Sequence, residues 1–224
     1  KKAGVRIDSG DIAYLSKETR RMLDEAGLNF VTICASNSLD EYLITELQNQ
    51  GACIDSYGVG ERLITSKADP VFDGVYKLAG IEKDGVIIPK MKISENEGKI
   101  TTPHFKKVYR LFSKEDNKAL ADVICVYDEV INENEPYEIF DPHFTWKRKT
   151  LTNYKVEELH KQIFKDGKLV YQIPTLEESR AFCKYSLSRL WDEVKRFDNP
   201  HGYYVDLSQK LWDIKHDILM KNNK

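Results

Sequence analysis

The chain has 224 residues, of which 41% are hydrophobic, and it is long enough to bury a core of one large domain or one and a half ordinary ones. Its 34 Lys and Arg residues nearly balance its 36 Asp and Glu residues, so the net charge of -2 gives no reason to expect nucleic acid or an anionic membrane as a partner. No run approaches the roughly 20 apolar residues that cross a bilayer, and no signal-peptide pattern opens the chain. We therefore expect a cytoplasmic protein that is not bound to a membrane.

Cysteine and histidine spacing argues against a disulfide framework or a metal site built by the protein. The four cysteines have no Cys-X-X-Cys spacing, so we expect buried free thiols; they are Cys34, Cys53, Cys125 and Cys183. The five histidines are dispersed, and none lies four residues from another on a predicted helix.

The first residues have the pattern of a β-strand that begins within a few residues of the first one. The chain has no initiator methionine, and Gly4 to Asp8 form a β-rich run directly after the first three residues. A domain that starts on a core strand is usually incomplete. We therefore expect a fragment of a longer protein, and we expect such a fragment to be poorly soluble alone, because an open half-barrel exposes strand edges and apolar faces.

Residues 4–66 alternate between strand and helix patterns. Strands are predicted at residues 5–8, 29–35 and 53–57, and a helix at residues 16–26 with its stop at Gly27. Ser38 and Glu41 form a capping-box pattern that opens a second helix, which ends at Gly51. This order is typical of βαβ units and a parallel sheet or barrel, in which ligands bind at the carboxyl ends of the strands.

The rest of the chain has a different period. Residues 74–81, 85–93, 107–112 and 120–127 alternate as antiparallel strands, and an irregular region to residue 174 carries one short helix near 156–164. Helices are predicted at residues 176–194 and along the stripe Leu207, Leu211, Ile214 and Ile218. The predicted fold class is α/β: the C-terminal part of an incomplete α/β barrel at residues 1–70, an antiparallel β segment at 71–132, and an irregular region with C-terminal helices at 133–224.

The first predicted strand ends in a charged pair. Alternation places Arg6 and Asp8 on one face, and Gly10 lets the backbone turn sharply. Spacing alone favours a salt bridge between the two side chains. At the mouth of a barrel, the same pair would instead offer a guanidinium to an anion and a carboxylate to sugar hydroxyls or developing positive charge.

The other two strand ends carry small polar residues and glycines. Ser36, Asn37 and Ser38 stand between a strand and a helix start and suit a phosphate or a ribose, although taken alone they favour simple N-capping by Ser38. Gly58 and Gly60 permit a nest of backbone N–H groups for a phosphate, but two glycines alone are weak evidence because any tight turn uses them.

Taken together, these segments resemble the nicotinate phosphoribosyltransferase family. The strings GVRIDSGDIAYLSK at residues 4–17, ASNSLDE at 35–41 and YGVGERLIT at 57–65 follow the order and spacing of that family. Shorter similarities continue at residues 74–78, 92–99, 106–110 and 146–149. The resemblance covers nearly the whole chain and about the second half of the family's length.

The resemblance implies a type II phosphoribosyltransferase barrel and roles for individual residues. Arg6 would face the pyridine and phosphoribosyl groups, and Asp8 would lie near the ribose and stabilise the oxocarbenium character at its C1. Ser36 and Asn37 would contact the ribose or phosphate. Gly60 and Glu61 would offer backbone N–H groups to the 5′-phosphate.

The implied reaction joins nicotinate to phosphoribosyl pyrophosphate with release of pyrophosphate, which gives nicotinate mononucleotide for NAD salvage. Mg²⁺ would neutralise the pyrophosphate, and the family couples ATP hydrolysis to synthesis through a phosphorylated histidine. That histidine is expected outside this chain, so none of its five histidines takes that role, and the fragment alone is expected to be inactive. The family also implies a homodimer.

Two other interpretations stay open. A phosphoribosyltransferase acting on nicotinamide or quinolinate would share the barrel but not the continuation at residues 11–14 or the segment around Trp146. A noncatalytic module holding a phosphorylated ligand is the alternative from another class. The basic clusters at residues 90–92, 106–107 and 147–149 are interpreted first as solvated strand edges.

Overall fold

The computed structural model describes residues 3–71 and 73–222, and the chain divides into two compact units, residues 1–75 and 76–224. The predicted boundaries at residues 70 and 132 stay predictions. Mixed α/β structure is confirmed, with a parallel sheet in the first unit and mainly antiparallel strands in the second. No helix in the described ranges is long and apolar enough to cross a membrane.

The first unit is a three-stranded parallel sheet with helices between its strands. Its elements are β1 (Gly4–Ile7), α1 (Ile12–Glu25), β2 (Thr32–Ser36), α2 (Glu41–Asn49), β3 (Ser56–Gly58) and α3 (Glu61–Ile64). The sheet order is β1-β2-β3. Ile12, Ala13, Ala35, Leu39 and Leu47 form its buried core, so α1 and α2 cover one face of the sheet.

Both helices of this unit begin at an aspartate. The Asp11 side chain accepts the Tyr14 backbone N–H at 3.0 Å, which starts α1 four residues before the predicted helix. The prediction that Ser38 caps the second helix is wrong. Ser38 has a φ of +49°, whereas Asp40 has the extended backbone of an N-cap and accepts the Leu43 N–H at 2.8 Å.

The second unit is built around a four-stranded sheet in the order β10-β6-β7-β13. Its strands are β4 (Gly80–Lys83), β5 (Val86–Pro89), β6 (Lys106–Ser113), β7 (Ala119–Val126), β8 (Tyr137–Phe140), β9 (Arg148–Leu151), β10 (Tyr154–Glu158), β11 (Phe164–Lys165), β12 (Lys168–Leu169) and β13 (Val205–Leu207). Its helices are α4 (Leu176–Ser188) and α5 (Gln209–Asn222), with short 3₁₀ turns at Glu97–Lys99 and Asp192–Lys195.

The prediction of an irregular region with a helix near residues 156–164 is wrong. Five strands lie between residues 137 and 169, and β10 pairs antiparallel with β6 along its whole length. Tyr154 anchors this strand because its ring is fully buried and its hydroxyl donates to the carbonyls of Asn132 and Glu135, both at 2.8 Å.

Four smaller predictions also need correction. Residues 74–79 are not strand, and the predicted helix at residues 176–194 ends at Ser188. Leu207 belongs to a strand, so the helical stripe begins at Leu211. The cysteines are free as expected, but only Cys125 is buried, and Cys183 is exposed.

Candidate functional site

The carboxyl ends of three parallel strands meet at one edge of the first unit. Ile7 pairs with Ala35, and Ser36 pairs with Gly58, so the residues that follow each strand leave the sheet side by side. Helices begin at this same edge, after Asp11, Asp40 and Gly60. In parallel α/β sheets this is the edge at which ligands bind.

The two faces of this sheet differ in chemistry. Ile7, Ala35 and Tyr57 pack into the apolar core beneath α1 and α2. Because side chains alternate along a strand, Arg6 and Ser36 lie on the opposite face. The polar residues Arg6 and Ser36 therefore share the face of the sheet that α1 and α2 leave open.

Arg6, Asp8 and Ser36 form one hydrogen-bonded cluster on the open face. The Arg6 guanidinium lies 2.8 Å from the Asp8 carboxylate and donates to the Ser36 hydroxyl at 2.9 Å. The Arg6 and Asp8 side chains are 62% and 51% exposed. An exposed ion pair contributes at most about 1 kcal/mol, so a bound phosphate or sugar can compete for either partner.

The backbone after β2 adopts an unusual conformation. Asn37 and Ser38 have φ values of +96° and +49°, and two successive non-glycine residues in this region are energetically costly. Strain of this kind concentrates where a chain presents groups to a ligand. The conformation supports a role for Asn37 beside the Arg6 cluster, although its described side-chain contact is with the Ser38 hydroxyl at 3.4 Å.

Gly60 and Glu61 start the short helix α3 at the same edge. The described contacts of Glu61 run to Lys67, whose ammonium lies 3.7 Å from its carboxylate, and not to the Arg6 cluster. A methyl group added to Gly60 would meet nothing within 4 Å. The first N–H groups of a helix have no partner inside the helix, so these two residues offer donors beside open space.

An ion pair that the sequence did not predict joins two of the helix starts. Arg62 donates to one oxygen of Asp40, whose other oxygen caps α2 through the Leu43 N–H. The pair lines an open cavity of about 610 Å³ between α2 and α3. Asp40 and Arg62 lie in the segments at residues 35–41 and 57–65, but their spacing in the sequence does not indicate that they meet.

The chemistry of this edge suits an anion with hydroxyl groups rather than a bare metal ion. It combines a guanidinium, a hydroxyl and free helix-start N–H groups with one carboxylate. Among residues 3–71 and 73–222, no group of three or more His, Cys, Asp or Glu side chains could hold a metal ion.

One of the basic clusters has a structural explanation in the second unit. The Lys106 ammonium donates to the carbonyls of Thr102 and His104, both at 2.8 Å, and to that of Pro103 at 3.3 Å. Burial lowers the pKa of this lysine. Lys106 therefore holds a loop in place, rather than facing solvent at a strand edge.

Comparison with known proteins gives consistent matches. Residues 105–215 match the family model described as the nicotinate phosphoribosyltransferase C-terminal domain. The nicotinate phosphoribosyltransferase of Bacillus subtilis is 44% identical over 212 residues, which cover 95% of this chain and 43% of that protein. The chain thus spans about two fifths of the length of the curated relatives it matches.

Two solved structures are similar as well. The crystal structure of human nicotinic acid phosphoribosyltransferase aligns with a TM-score of 0.73 and 27% identity, covering 98% of this chain and 40% of that one. The crystal structure of nicotinate-nucleotide pyrophosphorylase from Pyrococcus furiosus aligns with a TM-score of 0.53, 27% identity, and coverage of 83% and 39%. The chain belongs to the nicotinate phosphoribosyltransferase family, and it corresponds to about two fifths of the length of the members it matches.

Proposed function

We propose that the chain supplies the phosphoribosyl-binding edge of an enzyme that makes nicotinate mononucleotide and pyrophosphate from nicotinate and phosphoribosyl pyrophosphate. The observation that carries the proposal is the cluster of Arg6, Asp8 and Ser36 at the carboxyl edge of a parallel sheet. The names of the relatives supply the substrates. The three strands would form part of an incomplete α/β barrel whose interior is their open face.

Each residue of this edge has a role that follows from its chemistry. Arg6 would bind an anionic group of the substrate, because a guanidinium forms strong charge-assisted hydrogen bonds with phosphate or carboxylate. Ser36 and Asn37 would contact the ribose or its phosphate. The backbone N–H groups of Gly60 and Glu61 would hold the 5′-phosphate, because a helix start favours an anion.

Asp8 would act on the reacting carbon. As pyrophosphate leaves, positive charge develops on C1 of the ribose, and a carboxylate beside it stabilises that charge more than it stabilises the ground state. Arg6 holds the Asp8 carboxylate in one orientation until the substrate arrives. The ion pair is then exchanged for contacts with the substrate.

Mg²⁺ fits this edge as a companion of the substrate. Such ions are commonly held by one or two carboxylates and by substrate phosphates, and Asp8 is the half-exposed carboxylate available for this. When bound, the ion neutralises charge on the pyrophosphate. ATP coupling, a homodimer and a cytoplasmic location are further parts of the proposal.

The reaction is tested with the complete gene product, phosphoribosyl pyrophosphate and Mg²⁺. Mononucleotide formation is followed with nicotinate or nicotinamide, each with and without ATP. Turnover of nicotinate that ATP stimulates supports the proposal. Failure of a folded protein to turn over either pyridine contradicts it and favours the noncatalytic module that holds a phosphorylated ligand.

Three variants connect the activity to this edge. Asp8→Asn should lower kcat about a hundredfold, because one preorganised electrostatic contact is worth about that much. Arg6→Ala should mainly raise the KM for phosphoribosyl pyrophosphate. Arg21→Ala is the matched control, since Arg21 also forms exposed ion pairs, with Glu18 and Glu25, but on helix α1. Equal losses in all three would contradict the assigned roles.

The Pyrococcus structure favours a second candidate within the same chemistry. That protein is named a nicotinate-nucleotide pyrophosphorylase. The second candidate is therefore a phosphoribosyltransferase that forms the same nucleotide from quinolinate. The human structure covers more of the chain with a higher TM-score, so the nicotinate reaction ranks first. Turnover of quinolinate, but not of nicotinate, would reverse this ranking.

A further inference from the structure

The second unit contains a cavity of about 290 Å³ that plays no part in the proposed reaction. Its walls come from the β8–β9 hairpin, the start of β7 and the region of β13. Leu120, Ile139, Phe140 and Leu151 provide apolar surface, and Tyr204 adds an aromatic ring. A cavity of this size accepts one planar ring system, with its substituents extending to solvent.

A buried carboxylate without a partner lies in this cavity. Asp206 is only 3% exposed, and its side chain has no hydrogen-bond or ion-pair partner among the residues that the structure describes. Burial raises the pKa of Asp206 to about 6, with a further contribution from the charge of Asp141. Isolated buried carboxylates are costly, so such a group is usually kept for a ligand.

The neighbouring carboxylate is already occupied. One oxygen of Asp141 accepts the backbone N–H groups of His143 and Phe144, at 2.8 and 3.0 Å. These bonds lower its pKa, so it stays ionised. Asp206 is therefore the carboxylate of this cavity for which neither oxygen has a hydrogen-bond partner among the described residues, whereas one oxygen of Asp141 is occupied.

Three cationic side chains also line the cavity. Arg148 is paired with Glu138 at 2.5 Å, and the Lys147 ammonium lies over the Phe144 ring at 4.3 Å. Lys149 is exposed and has no ion-pair partner within the described ranges. Glu138 offsets the charge of Arg148, so the lining is close to neutral overall, and the exposed Lys147 and Lys149 favour an anionic group at the mouth.

The occupant must combine two properties. An ionised carboxylate accepts best from two parallel N–H donors. A guanidinium or amidinium offers such donors, but the exposed lysines at the mouth would repel its positive charge. The guanine edge offers the same two donors from a neutral ring, and a phosphate attached through its sugar would reach Lys149. We propose that this cavity binds a guanine nucleotide, with the base edge on Asp206 and the phosphate at Lys147 and Lys149.

The first experiment measures binding of GMP, IMP and AMP to the complete gene product by calorimetry at pH 7.5. GMP should bind at least tenfold more tightly than IMP, which lacks the 2-amino donor. AMP should bind more weakly still, because it presents a ring acceptor to the carboxylate. Equal affinity for the three nucleotides, or no binding of GMP, overturns the proposal.

Variants then locate the binding. Asp206→Asn should weaken GMP binding at least tenfold, because an amide replaces one acceptor by a donor, and its melting curve confirms folding. Lys149→Ala changes an exposed residue and should weaken GMP binding while guanosine binding stays the same. Unchanged GMP affinity in either variant overturns the proposal.

Two controls separate this site from the phosphoribosyl edge. Arg6→Ala removes the cation of the other unit and should leave GMP affinity unchanged. Lys92→Ala removes a lysine of the same unit that does not line the cavity, and it should have no effect. GMP binding that is lost in Arg6→Ala but kept in Asp206→Asn would show that the nucleotide binds through its ribose phosphate, which contradicts the proposal.

Discussion

The two units use the same kind of ion pair in different environments. In the first unit, Arg6 and Asp8 meet on an open sheet face and are both more than half exposed. In the second, Arg110 makes two hydrogen bonds to Asp122 at 2.7 and 2.8 Å, and Asp122 is only 8% exposed. Burial decides the role: the exposed pair is available to a ligand, whereas the buried pair holds two strands together.

The largest expected effect comes from breaking the buried pair. Asp122→Ala removes the acceptor of Arg110 and of the Tyr203 hydroxyl, which donates to Asp122 at 2.8 Å. We expect a loss of about 3 kcal/mol in the free energy of unfolding, because a partly buried guanidinium is left without its partner. Urea denaturation measures it, and tryptophan fluorescence reports this unit alone because all three tryptophans lie between residues 146 and 212.

Asp8→Ala is the counterpart in the first unit. Its expected cost is below about 1 kcal/mol, because solvent replaces an exposed partner easily. Far-UV circular dichroism during urea denaturation reports both units, so a transition that tryptophan fluorescence does not show belongs to this unit, which has no tryptophan. A cost as large as that of Asp122→Ala would show that Asp8 is a structural residue and would weaken its proposed catalytic role.

The next effect depends on pH and concerns Asp206. The pKa of Asp206 is about 6 in the folded protein, above the ordinary 3.8 of an aspartate, so folding favours the protonated form. The ionised carboxylate therefore costs stability above pH 6, and this cost disappears as the pH falls towards 4. Asp206→Asn should be more stable than the parent chain by about 1 to 3 kcal/mol at pH 7.5, with a much smaller difference at pH 4.5.

Unfolding free energies of both proteins between pH 4.5 and 8 check this prediction. Asp213→Asn is a suitable control, because Asp213 is an exposed carboxylate of helix α5 that accepts from Gln209 at 2.8 Å. A difference between Asp206→Asn and the parent that does not change with pH would mean that the carboxylate of Asp206 is not the source. It would also remove one support of the proposed nucleotide site.

The helix starts show how far the sequence predicts this fold. The alternation of strands and helices in residues 4–66 and the pairing of Arg6 with Asp8 follow from local periodicity, because both are set within short stretches of chain. The capping aspartate did not follow, because the positive φ of Ser38 depends on how the chain leaves the sheet. Strand β10 was missed for a related reason, since its partner β6 lies more than 40 residues earlier.

The corrected helix cap makes a prediction of intermediate size. Asp40→Ala should destabilise the first unit by about 1 to 2 kcal/mol, because it removes the cap of α2 and the partner of Arg62. Ser38→Ala should cost less than about 0.5 kcal/mol, since Ser38 caps no helix. Thermal unfolding of both variants, followed by circular dichroism, decides between the two residues. The opposite order would restore Ser38 as the cap.

The substitution with the smallest expected effect on stability should have a large effect on ligand binding. Gly10 and Gly27 have φ values of +75° and +71°, so alanine at either position costs about 1 kcal/mol. A methyl group at Gly10 would lie 3.0 Å from the Leu15 side chain, whereas one at Gly27 would meet nothing within 4 Å. Either the end of the Leu15 side chain or the turn at Gly10 must then give way by a few tenths of an ångström, and this turn is two residues from Asp8.

Gly10→Ala should therefore bind ribose 5-phosphate at least tenfold more weakly, while Gly27→Ala binds it as the parent chain does. Calorimetry on the two variants, after a check that their melting temperatures agree within a few degrees, makes the comparison. Equal affinities would mean that the position of Asp8 tolerates movement of its turn. The open face of the first unit would then act by charge alone, and the conformation of the strand end would add nothing to recognition of the ligand.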